Sequence, residues 1–311
     1  IDKLWESNIG TILDFSAEGK ENEEDFNLAM NETIASIQKA KSESSIPFSV
    51  FKPTGFGRLA LFEKKGSGNS LTALENAEWD RIVMRFDKVC QLGKERGVEI
   101  LIDAEESWMQ DAADELVEFM MKRYNTLRPI VYNTLQLYRW DRLNYLKQIH
   151  QRAIKSGFKL GFKIVRGAYM EKERERAEKH GYASPICKNK EVTDTNFDDS
   201  LSYIIENLND ISLFVGTHNE KSSYLTMELM ASMNIKKDDN RVWFGQLYGM
   251  SDHISFNLAD KGYNVAKYVP FGPVKDVMPY LIRRAEENTS VAGQTNRELN
   301  LLKTEKKRRR I

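Results

Sequence analysis

Short runs of β-branched and aromatic residues recur along this chain, separated by longer stretches with the apolar spacing of amphipathic helices. This alternation predicts βα units around a parallel sheet, because parallel strands need a crossover connection about as long as a helix. Most runs are apolar in near-continuous order, as expected for strands that are covered on both faces. Seven runs show the pattern clearly: Pro47–Lys52, Val98–Asp103, Pro129–Asn133, Leu160–Arg166, Ile211–Thr217, Arg241–Leu247 and Val265–Pro270. Ser184–Lys188 is a weaker eighth run.

Two of the segments between the runs, Glu75–Arg96 and Glu106–Tyr124, have the spacing of crossover helices. Eight strands with crossovers and no Pro/Gly/Ser-rich linker, in a chain of 311 residues, fit a closed (β/α)8 barrel. A doubly wound sheet would need a glycine-rich phosphate loop, and no G-x-G-x-x-G is present. We therefore predict an α/β TIM-like barrel over residues 46–311, with residues 1–45 as an N-terminal helical segment that packs outside it.

Composition narrows the classes of function. The 46 Lys and Arg residues balance 46 Asp and Glu residues, and 41% of the chain is apolar, which argues against disorder and against a broad basic face for nucleic acid. No window approaches the roughly 18 apolar residues of a membrane span, and no signal-peptide core is present, so a cytoplasmic location is the prediction. Cys90 and Cys187 have no zinc-type spacing, so neither a disulfide scaffold nor a metal site is expected.

Polar and aromatic residues collect at the ends of the predicted strands, where barrels carry their chemistry. They are Lys52, Asp103, Gln136, Lys163, Arg166, Tyr169, His218, Asn219, Gln246 and Tyr268. A paired arginine, Arg283–Arg284, follows on a segment with helical spacing. Arginine forks bind planar carboxylates well, so a small carboxylate or a phosphate-bearing cofactor is the expected ligand. Lys52 would add a third positive contact, and Tyr169, Leu247 and Tyr268 an apolar wall.

Several of these residues have a second, purely structural interpretation that the sequence leaves open. Lysines at strand ends are often solvated, and Asp103 has the spacing of a helix-capping box with Glu106. His218 could be a hydrogen-bonded structural histidine, and Arg283–Arg284 could be a surface charge pair. The accumulation of such groups at one end of one sheet favours a binding site.

An ordered set of motifs resembles the proline dehydrogenase family. The motifs are TILDFSAEGKE, FKPTG, IDAEE, KIVRGAY, GTHN, GQLYGM, KYVPFG and YLIRRAEEN, spread over about residues 10–300. The resemblance implies a distorted (β/α)8 barrel that binds FAD non-covalently and oxidises L-proline to Δ1-pyrroline-5-carboxylate by hydride transfer to flavin N5. It further implies that electrons pass to a membrane quinone, and that a separate pyrroline-5-carboxylate dehydrogenase continues proline catabolism to glutamate. The location would then be cytoplasmic, peripheral on the inner face of a membrane, or the mitochondrial matrix in a eukaryote.

The same resemblance assigns roles by position. Arg283 and Arg284 match the pair that clamps the proline carboxylate, Lys52 the third cation, Glu287 the acid that orients an arginine, and Asp103 a carboxylate that orders its neighbours. Tyr169, Leu247 and Tyr268 match the wall around the pyrrolidine ring. The positions that resemble the FAD lining are Gln136, Lys163, Arg166, Gly167, Ala168, Thr193, His218, Asn219 and Gln246.

The chain departs from the family pattern at a few of these positions. Lys163 stands where many relatives have arginine, which keeps the charge and loses the bidentate fork. Met170 replaces a common aromatic residue, and Tyr248 stands where histidine is frequent. Tyr268 occupies a position that is smaller in hydroxyproline dehydrogenases, which favours proline over 4-hydroxyproline as the substrate.

Two rival functions remain open from the residues alone. One is a Schiff-base lyase or aldolase on the same barrel, with Lys52 or Lys163 as nucleophile. The other is an all-helical repeat adaptor without catalysis, which the abundance of amphipathic helices suggests and the buried strand runs oppose.

The arginine assignment yields a first prediction. Arg283→Met or Arg284→Met should raise the KM for proline about 100-fold, because loss of a charged hydrogen bond to a buried anion costs about 1.5–3 kcal/mol or more. Steady-state kinetics of each variant beside the parent protein measure this effect. Nearly unchanged kinetics in both variants would remove the carboxylate assignment.

Overall fold

Eight parallel strands close into a barrel, with neighbours in chain order from the first strand to the eighth. The computed structural model describes residues 1–15, 19–274, 277–278, 281–282 and 292–309. The strands are β1 (Ile9–Phe15), β2 (Phe48–Phe51), β3 (Glu99–Ile102), β4 (Val131–Gln136), β5 (Leu160–Val165), β6 (Ile211–Gly216), β7 (Val242–Leu247) and β8 (Val265–Phe271). The predicted (β/α)8 fold is confirmed, and the all-helical alternative is wrong.

Helices connect the strands and cover the outside of the sheet. The described helices are α1 (Asp2–Trp5), α2 (Glu23–Ser42), α3 (Leu59–Gly66), α4 (Ala73–Arg96), α5 (Ser107–Tyr124), α6 (Arg142–Ser156), α7 (Met170–His180), α8 (Lys190–Glu206), α9 (Glu220–Ser232), α10 (Asp252–Asp260) and α11 (Ala292–Arg309). Helix α4 begins at a capping box of Thr72 with Glu75 and ends at Gly97, whose φ of 71° suits a left-handed C-cap. The two predicted crossover helices are confirmed as α4 and α5.

The N-terminal part of the chain differs from the prediction. Strand β1 lies within residues 1–45 and pairs with both β2 and β8, so it closes the barrel. The expectation that residues 1–45 pack outside the barrel is therefore wrong for this strand, and the barrel begins before residue 46. The strand has seven residues and is followed by a 20-residue helix, α2, so helical spacing dominates the segment. Helix α2 is the first crossover of the barrel.

The weak eighth run, Ser184–Lys188, is not a strand of the barrel. Ile186, in the connection between α7 and α8, forms an isolated antiparallel bridge with Arg139, which follows β4. Pro185 has no N–H group for a sheet ladder, which limits pairing in this segment. The third predicted run also shifts: β4 covers Val131–Gln136, so Gln136 belongs to the strand.

Aromatic side chains fill the lower interior of the barrel, where lower means towards the N-terminal ends of the strands and upper means towards their C-terminal ends. Phe48 makes edge contacts with Tyr132, Phe214 and Trp243 at ring distances of 5.3 to 5.7 Å. Glycine on neighbouring strands makes room for them: a Cβ at Gly161 would lie 2.5 Å from the Tyr132 ring. The inside is thus a packed core, and the polar site can be built only at the upper end.

Glu99 begins β3 at the opposite end of the barrel and is bonded there to two side chains. Tyr132 Oη donates to its Oε2 at 2.9 Å, and Arg128 Nη1 donates to its Oε1 at 2.7 Å. Burial raises the pKa of Glu99 to about 7, although the Tyr132 hydrogen bond and the Arg128 charge act in the other direction. Between about pH 4.5 and pH 7, the folded protein therefore retains a proton on Glu99 that an unfolded chain would release.

This proton predicts a pH dependence of stability. A raised folded-state pKa stabilises the fold at low pH, and the benefit is lost as the pH rises through about 7. Glu99→Gln stays neutral, so between pH 5 and pH 8.5 its unfolding free energy should fall by about 1–3 kcal/mol less than that of the parent. Melting curves of both proteins across this pH range measure the difference.

Glu118→Gln provides a control of opposite sign. Burial raises the pKa of Glu118, but hydrogen bonds from Arg152 and Lys122 outweigh burial and lower it overall. This variant should lose stability at neutral pH and little at acidic pH. If the stability of Glu99→Gln and that of the parent changed equally between pH 5 and pH 8.5, the raised pKa of Glu99 would be contradicted.

Candidate active site

Five side chains form a continuous polar chain in the upper interior of the barrel. Lys52 Nζ donates to both carboxylate oxygens of Asp14, at 2.9 and 3.2 Å. Lys52 Nζ also lies 3.6 Å from Oδ2 of Asp103, whose Oδ1 binds Lys163. Lys163 Nζ donates to Tyr268 Oη at 3.0 Å and lies 4.8 Å from the centre of that ring. The contacts join residues on or just after β1, β2, β3, β5 and β8.

Strand alternation explains why these side chains meet. Asp14, Lys52 and Asp103 each stand two residues beyond an apolar residue that faces the barrel interior: Ile12, Val50 and Leu101. Successive side chains of a strand point to opposite faces, so residues two apart share one face. Because parallel strands end at the same edge, the polar residues form a layer directly above the apolar one.

The electrostatics of this layer are balanced. Two ammonium groups alternate with two carboxylates, so the charges of these four side chains sum to zero, and Asp14, Lys52 and Lys163 are at least nine-tenths buried. Burial, together with the nearby charges of Asp103 and Asp14, raises the pKa of Tyr268 well above its usual value. Tyr268 therefore keeps its hydroxyl proton.

Asp103 does not act as a helix cap. The residue before α5 is Glu106, which makes no capping bond of its own. The first turn is instead bound by Glu173 of α7, which accepts from the backbone N and the hydroxyl of Ser107, both at 2.6 Å. Asp103 is therefore available for the lysines.

A second group of hydrogen bonds joins the loops around the site. Thr54 donates from its backbone N to Glu105 Oε2 at 2.8 Å, and from its hydroxyl to Oε1 at 2.5 Å. Gln136 Nε2 donates to the Glu105 carbonyl at 2.6 Å and its Oε1 accepts from Ala168 N at 3.3 Å. The loop after Lys52 is thereby connected to the loop after β5.

Arg166 follows β5 and is held by three elements. It donates to Asp194 of α8 at 2.7 Å, to Thr217 at 3.1 Å and to Ser222 of α9 at 3.0 Å. Burial raises the pKa of Asp194, but hydrogen bonds from Lys190 and Arg166 outweigh it and lower the pKa overall. Asp194 stays ionised and fixes the direction of the guanidinium.

Gly167 places the next residues of this loop close to Tyr138. Its φ of 134° is one that side chains rarely adopt, and a Cβ would lie 2.6 Å from the Tyr138 ring. Tyr138 N donates to the Arg166 carbonyl at 2.7 Å. The glycine is required both by the backbone and by the close approach of this ring.

The other predicted cofactor positions lie at the ends of β6 and β7 and on α8. His218 Nδ1 is 2.9 Å from Ser251 Oγ, and Asn219 caps α9. Gln246 Nε2 donates to the Thr217 carbonyl at 3.1 Å. Thr193 is buried on the first turn of α8.

The predicted wall and clamp residues are only partly within the described chain. Leu247 packs against the interior cluster that contains Tyr268, and Tyr169 directly precedes α7. Arg283, Arg284 and Glu287 lie outside the described residues. The structure thus brings Lys52, Asp103, Lys163 and Tyr268 into direct contact.

Sequence reasoning did not select Asp14 or Asp194 as site residues. Asp14 ends an apolar run, as Asp103 does, but the run was interpreted as part of a helical segment. Asp194 stands on the first turn of α8, four residues after Lys190, and resembles an ordinary surface ion pair. Its contact with Arg166 depends on the packing of α8 beside the strand end.

Two features are absent from the part of the chain that the structure describes. Within it, no helix combines the length and the apolar character that a membrane span requires. The same residues bring no three His, Cys, Asp or Glu side chains into an arrangement suited to a metal ion.

Comparison with known proteins agrees with this geometry. A family model described as "Proline dehydrogenase" matches residues 1–297. The chain belongs to the proline dehydrogenase family. It is 36% identical over 309 residues to the carbapenem antibiotics biosynthesis protein CarD of Pectobacterium carotovorum subsp. carotovorum, covering 99% of this chain and 80% of that protein. It is 35% identical over 352 residues to the mitochondrial proline dehydrogenase 1 of Dictyostelium discoideum, covering 99% of this chain and 62% of that protein.

A solved structure supports the barrel. Proline utilization A from Bdellovibrio bacteriovorus, inactivated by N-propargylglycine, superposes with a TM-score of 0.82 at 22% sequence identity. The match covers 93% of this chain and 31% of that one. The chain therefore corresponds to less than two thirds of the Dictyostelium protein and to about a third of this larger structure, while it matches most of CarD.

The contact of Gly167 with Tyr138 gives a testable prediction for this proline dehydrogenase family member. Gly167→Ala should reduce the unfolding free energy by about 2 kcal/mol or more, because the methyl group overlaps the ring and the backbone is strained. Gly181→Ala, at a positive φ of 70° with open space around it, should cost about 1 kcal/mol. Urea denaturation measures both, and equal losses would show that the ring contact adds nothing.

Proposed function

We propose that this chain oxidises L-proline to Δ1-pyrroline-5-carboxylate with FAD as a non-covalent cofactor. The observation that carries the proposal is the buried chain of Asp103, Lys163 and Tyr268 at the upper end of a barrel of this family. It holds a hydrogen-bond donor and a ring-contacting aromatic side chain at the strand ends, where small substrates bind in such barrels. Both features suit a small cyclic amino acid.

The residues present fit a flavin. Arg166 uses three of its donor atoms on protein partners and remains partly exposed, so its positive charge lies where a pyrophosphate could approach. Gln136 and Gln246 present side-chain amides at the ends of β4 and β7, and Lys163 presents an ammonium group beside Tyr268. Amides and cations are the donor types that the polar edge of a flavin ring requires. We propose that these residues, with Gly167, Ala168, Thr193, His218 and Asn219, hold FAD.

The protein's own side chains would position the substrate and exclude water. Arg283 and Arg284 are proposed to bind the carboxylate with Lys52, and Glu287 to orient one arginine. Tyr169, Leu247 and Tyr268 would press the ring into place, so that the carbon next to the nitrogen is presented with its hydrogen. The amine must be neutral, since its lone pair forms the C=N bond. FAD, when bound, supplies the acceptor for the hydride.

The same proposal covers the fate of electrons and product. We propose a membrane quinone as the electron acceptor, and a separate pyrroline-5-carboxylate dehydrogenase as the consumer of the product in proline catabolism to glutamate. The Dictyostelium relative is named mitochondrial, and a matrix location is the corresponding proposal if this chain is eukaryotic. CarD is named for carbapenem biosynthesis, which is a different metabolic process from proline catabolism. The proposed reaction therefore does not depend on the proposed metabolic role.

The ion pairs weigh against the Schiff-base lyase. A lysine nucleophile must be neutral, whereas a carboxylate in contact favours the charged form. Lys52 contacts Asp14, and Lys163 contacts Asp103. Borohydride should therefore trap no covalent adduct between either lysine and a carbonyl substrate.

An anaerobic visible spectrum of the purified protein with FAD tests the proposal directly. Addition of L-proline should bleach the flavin band near ~450 nm, and 4-hydroxyproline should bleach it much less because Tyr268 fills the space of an added hydroxyl. L-Alanine, which has a carboxylate and no ring, is the control substrate. A flavin that stays oxidised with proline would overturn the proposal.

A further inference from the structure

We propose that Asp14 is a positioning residue that holds Lys163 in place through Lys52 and Asp103, an inference that rests on the proposed function for its catalytic meaning. The family resemblance assigns no role to this aspartate, although the motif TILDFSAEGKE contains it. The geometry assigns it one, because Asp14 is the first member of the continuous polar chain that ends at Tyr268.

The pairing of Lys52 with Asp14 is closer than its contact with Asp103. Both oxygens of Asp14 accept from Lys52 Nζ, at 2.9 and 3.2 Å, while Asp103 Oδ2 is 3.6 Å away. The Asp14 side chain is 1% exposed and that of Lys52 is 6% exposed. A buried charge of this kind must keep a partner, so removal of either side chain changes the partner's contacts.

Asp103 is shared between two lysines. Its Oδ2 faces Lys52 and its Oδ1 binds Lys163. While Asp14 holds Lys52, Asp103 remains bound to Lys163. Without the Asp14 charge, Lys52 would draw Asp103 towards itself, and Lys163 would lose its carboxylate.

Among these five contacting side chains, Lys163 is the one whose position matters most for the proposed reaction. Its ammonium lies against the ring and the hydroxyl of Tyr268, and the sequence motif assigns it to the flavin side. The Asp14 charge also contributes to the electrostatic environment of Tyr268. A change at Asp14, on β1, is thereby transmitted to β5 and β8.

Chemical labelling of lysines tests this without depending on catalysis. Asp14→Asn should raise the rate at which acetic anhydride modifies Lys163 about tenfold. The folded protein is labelled first, and mass spectrometry of its peptides then locates the modified lysines. Lys267 is the internal reference, since it is fully buried and bonded to the Met250 carbonyl and Asp252. General loosening of the fold would raise labelling at both lysines, whereas the proposed role raises it at Lys163 alone.

Two further variants fix the direction of the effect. Lys52→Met removes the competitor for Asp103, so Lys163 should stay as protected as in the parent. The double variant Asp14→Asn with Lys52→Met should restore the protection that Asp14→Asn loses. Asp210→Asn is the matched control at the opposite end of the barrel, where the carboxylate binds Lys159 at 2.7 Å, and it should leave Lys163 unchanged.

The outcomes separate this inference from the proposed function. Unchanged labelling of Lys163 in Asp14→Asn, or exposed Lys163 in the double variant, would overturn the role of Asp14. If Asp14→Asn does not fold, the double variant keeps the role of Asp14 open to refutation, because exposed Lys163 in that variant would contradict it. In the flavin-loaded enzyme, Asp14→Asn should slow proline-dependent flavin reduction about tenfold, and the double variant should recover this rate while its KM for proline rises. If labelling of Lys163 rises in Asp14→Asn while proline does not reduce the flavin of the parent protein, the inference is supported and the proposed function is rejected.

Discussion

Buried charge in the upper interior of the barrel is the constraint on which the rest of the site depends. Asp14, Lys52, Asp103 and Lys163 lie among apolar strands, where an unpaired charge would cost several kcal/mol. Each is contributed by a different strand, so no local segment can satisfy its own charge. Only the closed barrel, with β1 beside both β2 and β8, brings the alternating charges into contact.

The apolar layers below make this arrangement possible. Phe48, Tyr132, Phe214 and Trp243 fill the lower interior, and glycine in β5 and β7 provides the room they need. A filled interior leaves the strand ends as the place where polar side chains can gather around a ligand. The loops above are then joined by hydrogen bonds, such as those from Thr54 to Glu105 and from Ala168 to Gln136, which hold the loop that carries Arg166.

The sequence predicted much of this architecture because buried parallel strands and amphipathic crossovers have strong periodicities. It selected Lys52, Asp103, Lys163 and Tyr268 as candidates because each lies within or just after a recognisable strand. It missed Asp14 because the 20-residue helix α2 follows β1, and the helical spacing of this segment was stronger than the strand pattern. It also could not show which lysine binds which carboxylate. Asp103 has the sequence spacing of a helix cap, yet it binds Lys163, and Glu173 binds the first turn of that helix in its place. Glu173 is distant in the sequence, so only the three-dimensional structure shows this contact.

We propose that this layer and the neighbouring side chains present the carbon next to the proline nitrogen, on the side away from the carboxylate, for oxidation. Proline deuterated at C5, compared with proline deuterated at C2, tests it most directly in anaerobic stopped-flow measurements of flavin reduction. The account predicts that C5 deuteration slows reduction and that C2 deuteration leaves the rate unchanged. The account would be contradicted if C2-deuterated proline slowed flavin reduction and C5-deuterated proline did not.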